Sequence, residues 1–221
     1  MTTTKLINNT IQYVQKELYN AESGHDWFHV ARVYQNALLI AQNETCNLLV
    51  VSLAALLHDI ADSKFYGGNE TIAPQKARYF LENQQVEPTV IEQVVLIIIN
   101  ISFKGGHQES TYHSIELQIV QDADRLDALG AIGIARTFNY GGFKNRIIYD
   151  PSIKTEIGMS KEAYKNSTAP TINHFYEKLL LLKDQMNTAK GKELATERHR
   201  FMEMYLEQFY KEWNVTTRII E

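Results

Sequence analysis

Residues 53–60, LAALLHDI, are an apolar run that finishes in two adjacent titratable side chains, His58 and Asp59. Leu53 to Ile60 is too uniformly apolar for a helix with one wet face, so it belongs at the centre of the molecule. The rest of the chain must wrap around it. The fold must also accommodate an imidazole and a carboxylate at the end of a buried helix, which is costly unless both find partners. One solution is local, a C-terminal His and a capping Asp. The other is a metal ion, which neutralises the carboxylate and gives the imidazole nitrogen a partner. Helix neighbours point about 100° apart. Both side chains therefore reach one ion only if it lies beside the last turn.

The surrounding sequence supplies helices to do the wrapping. Val30, Val33, Tyr34, Ala37, Leu38 and Ala41 repeat at helical steps, as do Ala73, Ala77, Phe80 and Leu81 behind Pro74. Ile172, Phe175, Tyr176, Leu179, Leu182 and Met186 make a third stripe, and Met202, Tyr205, Leu206, Phe209 and Trp213 a fourth. Val94 to Ile101, VVLIIINI, is apolar all round and β-branched. The Glu87-Pro88-Thr89 start before it reads as a helix N-terminus, so it is expected to be a second buried helix. Glycine pairs at 67–68, 105–106 and 141–142 mark loops. The expected fold class is all-α. With 221 residues, one domain is expected over 1–221, with a core at about 20–130 and a C-terminal helical part at about 131–221.

Net charge is −4, which argues against nucleic-acid or membrane-surface binding. No apolar run approaches the roughly 20 residues of a membrane span, and the N-terminus lacks the pattern of a secretory signal. The single cysteine, Cys46, reads as a semi-buried free thiol and favours a cytoplasmic protein. Walker A, GxSxG and Rossmann patterns do not occur, and Cys46 has no His nearby to activate it.

Further candidate ligands flank the central run. His29, in GHDWFHVARV, adjoins the apolar stripe of its helix, and Arg32 follows one turn on. IVQDADRLDALG, residues 119–130, places three Asp and one Arg at positions 122–127, beside a core-facing stripe. Two imidazoles and two carboxylates make a mixed nitrogen and oxygen set suited to Mn²⁺, Fe, Ni²⁺ or Zn²⁺, whereas Mg²⁺ prefers more oxygens.

The order His29, His58-Asp59, Asp124 resembles the H…HD…D signature of HD-domain metal-dependent phosphohydrolases. The segments HDWFHVARV, LAALLHDIADSKF and VQDADRLDALGAIGIAR resemble the corresponding contexts in small stand-alone bacterial HD proteins, some of which are nucleotide pyrophosphohydrolases. The resemblance continues through HFYEKLLLLKDQMNT and FYKEW and so covers nearly the whole chain. It implies an HD-domain helical bundle with additional C-terminal helices, and one divalent transition metal ion, Mn²⁺ first, on His29, His58, Asp59 and Asp124. Asp122 and Asp127 are rivals to Asp124. The ADRL context selects Asp124, leaving Asp127 to cap or to pair with Arg125.

The resemblance also implies Asp62 as the residue that orients or activates water, against the plain alternative of a solvated acid pairing with Lys64. Lys64 is the first candidate phosphate contact, with Arg32, Lys104 and Arg125 behind it. Lys144 and Arg146, after Gly141-Gly142, are candidates for a lid over a polyphosphate. His107 and His113 fall in a polar loop and are expected to be exposed rather than ligands of a second metal, and His25 is expected beside the ligands or facing solvent. The expected reaction is hydrolysis of a (deoxy)nucleoside triphosphate to monophosphate and pyrophosphate by metal-activated water. Alternatives are a nucleotidase or phosphodiesterase of the same fold, a nucleotide sensor without turnover, and a di-iron oxygenase that would need His107 or His113. The expected partner is a nucleotide or other phosphorylated small molecule, and the chain a monomer or homodimer.

Overall fold

The computed structural model describes residues 2–21, 24–61, 69, 71–101, 112–159, 163 and 167–214, and these form helices and connecting turns, with no strand among them. The order is α1 (Thr3–Glu17), α2 (Trp27–Ala41), α3 (Leu48–Leu57), α4 (Ile72–Asn83), α5 (Pro88–Asn100), α6 (Ile115–Asp127), α7 (Gly130–Phe143) and α8 (Asn173–Glu177). A 3₁₀ segment, Leu179–Gln185, and a long last helix, α9 (Ala189–Trp213), follow.

Helix α3 is the axle. Val50 through Leu57 are all buried, and the helix packs against α1, α2, α5 and α6 at once. Each fully buried Leu or Val contributes about 1.5–3 kcal/mol, so a helix with no polar face is at its lowest free energy in this position. Asn47 starts it, its side-chain oxygen accepting from the N–H groups of Leu49 and Val50. His58 ends it as the C-cap. The apolar run therefore delivers His58 and Asp59 onto the turn just past the buried helix. The β-branched run at 94–101 is helical as expected, with Pro88 in the first turn of α5 and Ile91, Val94, Val95, Ile97 and Ile98 buried.

Two expectations are corrected. The glycine pair at 141–142 is not a loop but lies in the last turn of α7, which ends at Phe143. The stripe from Ile172 to Met186 is not one helix. It breaks at Lys178, whose backbone (φ −142°, ψ −57°) leaves the helical region, and continues as the 3₁₀ segment. Phe175, Leu179, Leu182 and Met186 still face inward. Steps of three and four residues serve either helix type, so the spacing survives the change of geometry.

The C-terminal part docks through α6. Asp122, fully buried, accepts from the backbone N–H groups of Asn187 (2.9 Å) and Thr188 (2.7 Å), the Thr188 hydroxyl (2.8 Å) and the Asn187 side chain (2.9 Å). This fixes the start of α9, where the Thr188 side chain also accepts from Gly191 N–H. A Cβ on Gly191 would lie 2.4 Å from Asp122 Oδ2 and 2.8 Å from Thr188 Oγ1, so only glycine lets α9 approach this closely. Aromatic rings close the far end, where Tyr149 meets Phe209, Tyr210 and Trp213 at centroid distances of 5.8, 5.4 and 5.0 Å. Gly191→Ala is expected to lower stability by about 1–3 kcal/mol through this overlap. Urea denaturation checks it, and an unchanged midpoint would show that the contact is not needed.

Candidate metal centre

Four segments meet at the end of α3. His29 is the third residue of α2, and Asp26, the N-cap, accepts from its backbone N–H (2.9 Å). The imidazole is buried, 2% exposed. Its Nδ1–H donates to Asp127 Oδ2 at 2.7 Å, which leaves Nε2 as the lone-pair nitrogen. That Nε2 faces Asp59 Oδ2 at 3.8 Å and Asp124 Oδ1 at 3.5 Å. His58 is arranged the same way, with its Nδ1–H on the Ala55 carbonyl (2.8 Å) and its Nε2 toward Asp124 Oδ1 (4.0 Å). Buried His58 Nε2 has no hydrogen-bond partner among the described residues.

One ligand atom from each of His29, His58 and Asp59 lies within 4.8 Å of the other two. Two buried lone pairs converge with a carboxylate, and the far nitrogen of each ring is pinned by an acceptor. That is how proteins orient metal-binding histidines. The donor chemistry fits a divalent ion, so the three residues are able to hold one.

Asp127 supports the arrangement from behind. Its carboxylate accepts from His29 Nδ1–H and also from Arg32 Nε (2.6 Å), Arg32 Nη2 (3.0 Å) and Arg136 Nη1 (2.7 Å). Burial would raise this carboxyl's pKa, but its bonds to His29 and Arg32 and the field of Arg136 hold it well below the usual carboxylate range. Burial likewise opposes ionisation of Asp59. The hydrogen bond with His25 (2.7 Å) and the field of His25, His58 and His29 outweigh it and hold that carboxyl at about 2. Burial lowers the pKa of His29 more than its bond to Asp127 raises it, keeping the ring neutral as a metal ligand must be.

Helix α6 separates the three acids. Asp124 and Asp127, three residues apart, share the face toward α2. Asp122 and Arg125 share the face toward the C-terminal part. Asp122, once a rival ligand, is therefore a structural acceptor. Asp127 pairs with His29, Arg32 and Arg136, which corrects the expected partnership with Arg125.

Arg125 itself donates to the Gln185 carbonyl (2.7 Å) and lies 3.4 Å from Asp122, only 17% exposed. It ties the C-terminal part down and does not face the cluster. Arg32 lies behind Asp127, with the His29 ring between it and the ligand atoms. Its Nε and Nη2 are spent on that carboxylate. Lys144 is exposed over the rings of Tyr140 and Phe143 (5.7 and 5.0 Å), and Arg146 donates to the Ser167 carbonyl (2.6 Å). Both sit at the C-terminal end of α7, Arg146 with its backbone N–H on the Gly141 carbonyl (2.8 Å), and neither makes a contact with the cluster among the described residues. His113 is exposed, as expected. Asp62, Lys64, Lys104 and His107 lie outside the described residues.

The roles of two residues escaped the sequence reading. Arg136, in GAIGIAR, carried no signal; it joins Asp127 to the Gly24 carbonyl (2.6 Å). Asp127 carried one, its position a helical turn from Asp124, but spacing alone does not show which acid receives the His29 proton.

The HD domain model matches residues 27–129, the stretch that holds His29, Arg32, His58, Asp59, Asp124 and Asp127. The Bacillus subtilis protein YpgQ is 39% identical over 203 residues, covering 90% of each chain. An HD-superfamily hydrolase from Bacillus thuringiensis has a similar structure (TM-score 0.78) at 44% identity, over 97% of this chain and 100% of that one. The structure of YpgQ in complex with ADP superposes with a TM-score of 0.74, over 96% of this chain and 97% of that one. The chain belongs to the HD-domain family of metal-dependent phosphohydrolases. No helix among the described residues is long and apolar enough to cross a membrane.

Asp127→Asn is expected to weaken divalent-metal binding about 10–100-fold, because the His29 ring loses its anchor. In the metal-free chain the same change should cost about 3–5 kcal/mol at pH 7, since Arg32 and Arg136 lose their partner. The folded pKa of Asp127 is depressed, so its stabilisation is complete above the unfolded carboxyl pKa of about 4 and fades as pH falls toward the folded value. The gap between wild type and variant should therefore narrow in acid. Denaturation curves from pH 7 downward test this, and a gap independent of pH would contradict it.

Proposed function

We propose that the chain cleaves a nucleoside triphosphate to the monophosphate and pyrophosphate, using one divalent ion held by His29, His58, Asp59 and Asp124. The observation that carries this reading is the convergence of His29 Nε2, His58 Nε2 and Asp59 beside an Asp124 that is still 39% exposed. Such a site is closed behind and open in front, so protein groups fill one side and leave room for a phosphate oxygen and a water.

Such an ion polarises a phosphoryl oxygen and lowers the pKa of bound water. The chain's own residues do the rest. Asp59 and Asp124 supply negative charge that fixes the ion. Asp127 holds the His29 proton on Nδ1 and keeps Nε2 available. His25 fixes the carboxylate of Asp59 through its 2.7 Å hydrogen bond. Asp62 is the residue proposed to orient the attacking water, with Lys64 and Lys104 as phosphate contacts. Lys144 and Arg146 are proposed to meet the distal end of a polyphosphate.

A nucleotide as substrate is supported by the ADP bound to YpgQ, which shares this fold over 96% of the chain. The two-nitrogen, two-carboxylate ligand set supports Mn²⁺ over Mg²⁺. Cys46, free and half-buried, suits a reducing cytoplasm.

The test is to incubate metal-free protein, resupplied with Mn²⁺, with a panel of nucleoside tri- and monophosphates and cyclic nucleotides, beside Asp124→Ala. The expected products are monophosphate and pyrophosphate in equal amounts, with at least a hundredfold loss in the variant, on the order of a lost metal-centre contribution of several kcal/mol. Orthophosphate released from monophosphates would replace this reading with a nucleotidase. No turnover of any nucleotide would contradict it.

A further inference from the structure

Behind Asp127, on the side away from the His29–His58 cluster, lies an open cavity of about 350 Å³ between α2, α7 and α9. Its lining includes Arg32, Gln35, Asn36, Asp127, Gly130 and Arg198. The charges here do not balance. Arg32 and Arg136 both pair with Asp127. Arg198 donates to the Leu126 carbonyl (2.6 Å) and to Asn36 Oδ1 (3.0 Å), both neutral, and makes no ion pair with any described residue. Asp127 and Glu197 act on Arg198 only through their fields, and Asp26 acts likewise on Arg32. The cavity wall therefore carries two guanidiniums, Arg32 and Arg198, against one carboxylate, Asp127, in a chain whose overall charge is −4. A half-buried guanidinium satisfied only by neutral oxygens is an incomplete arrangement.

The donors left over point to what would complete it. Arg32 spends Nε and Nη2 on Asp127 and leaves Nη1 without a partner among the described residues. Arg198 likewise leaves Nε. Gly130 fixes this geometry. Its φ of +69° turns the chain from α6 into α7, and a Cβ there would sit 3.2 Å from Arg198 Cβ and Cγ. Two guanidiniums against one carboxylate on the cavity wall call for an anion, and forked guanidinium donors match tetrahedral phosphate oxygens. The cavity is at the small end of the range for ligand pockets, ample for pyrophosphate.

We propose that this cavity is a second, metal-independent binding site for a phosphate-bearing anion of the size of inorganic pyrophosphate, held by Arg198 and Arg32. It lies on the opposite side of Asp127 from the metal ligands and does not depend on the reaction assigned to them. Because Arg32 grips the same carboxylate that holds His29, an anion here pulls on the metal centre from behind.

The test is isothermal titration of the full chain, stripped of metal, with inorganic pyrophosphate and, separately, with orthophosphate and a nucleoside diphosphate. Two variants locate the site. Ala131→Glu puts a carboxylate on the cavity wall in the first turn of α7, where an acid favours the helix, so the chain should keep its fold. Arg198→Gln removes the unpaired charge. The expected result is one pyrophosphate per metal-free chain, bound at least about tenfold more weakly by each variant, the cost of one charged hydrogen bond, and unaffected by Asp124→Ala. A nucleoside diphosphate that binds like pyrophosphate would assign recognition to the phosphates, and tighter binding would add a contribution from the base. Absence of pyrophosphate binding at millimolar concentration would overturn the proposal. So would binding that Ala131→Glu leaves unchanged, provided that the variant's melting curve shows it folded.

Discussion

The Asp127 carboxylate ties together helices that sequence keeps far apart. It sits at the end of α6, accepts the His29 proton and two Arg32 donors from α2, and accepts Arg136 from α7. Through Arg136 it also reaches the Gly24 carbonyl, next to the His25 that grips Asp59. A carboxylate buried this deeply is tolerated because every partner is a donor and two carry full charge. Remove it and the His29 ring, both arginines and the turn before α2 lose their common reference.

The buried axle α3 makes this arrangement possible. A helix with no polar face must be surrounded, and surrounding it brings α2 and α6 alongside, where His29, Asp124 and Asp127 can meet the His58-Asp59 turn. Rings presented with their lone pairs inward and their protons outward are a poor arrangement for an apo core, and His58 Nε2 has no hydrogen-bond partner among the described residues. The fold holds two imidazoles ready to accept charge that the chain alone does not supply. Helix α6 then divides its acids by face: Asp122 and Arg125 fasten the C-terminal helices, while Asp124 and Asp127 serve the centre.

What the sequence disclosed follows from how many partners each inference required. Buried helices α3 and α5 were legible because an all-apolar surface dictates its own burial. His58-Asp59 alone left a local cap and an ion site both open, and only the order His29, His58-Asp59, Asp124 pointed to the ion. The arginines were the least legible. Arg32 is anchored on Asp127 and Arg125 on Gln185 and Asp122, and a sequence does not show which carboxylate or carbonyl an arginine has found. Asp127 was visible only as an ambiguity with Asp124. The break at Lys178 was hidden because its apolar spacing suits α and 3₁₀ geometry alike.

The central claim is that His29 and His58 present their Nε2 atoms to a single divalent ion. The most direct measurement is pulsed electron paramagnetic resonance on the Mn²⁺-loaded chain, titrated to stoichiometry. The account predicts one ion per chain with couplings from two imidazole nitrogens, one of which disappears in His58→Gln. Bound Mn²⁺ without nitrogen coupling, or with couplings that His58→Gln leaves intact, would contradict it.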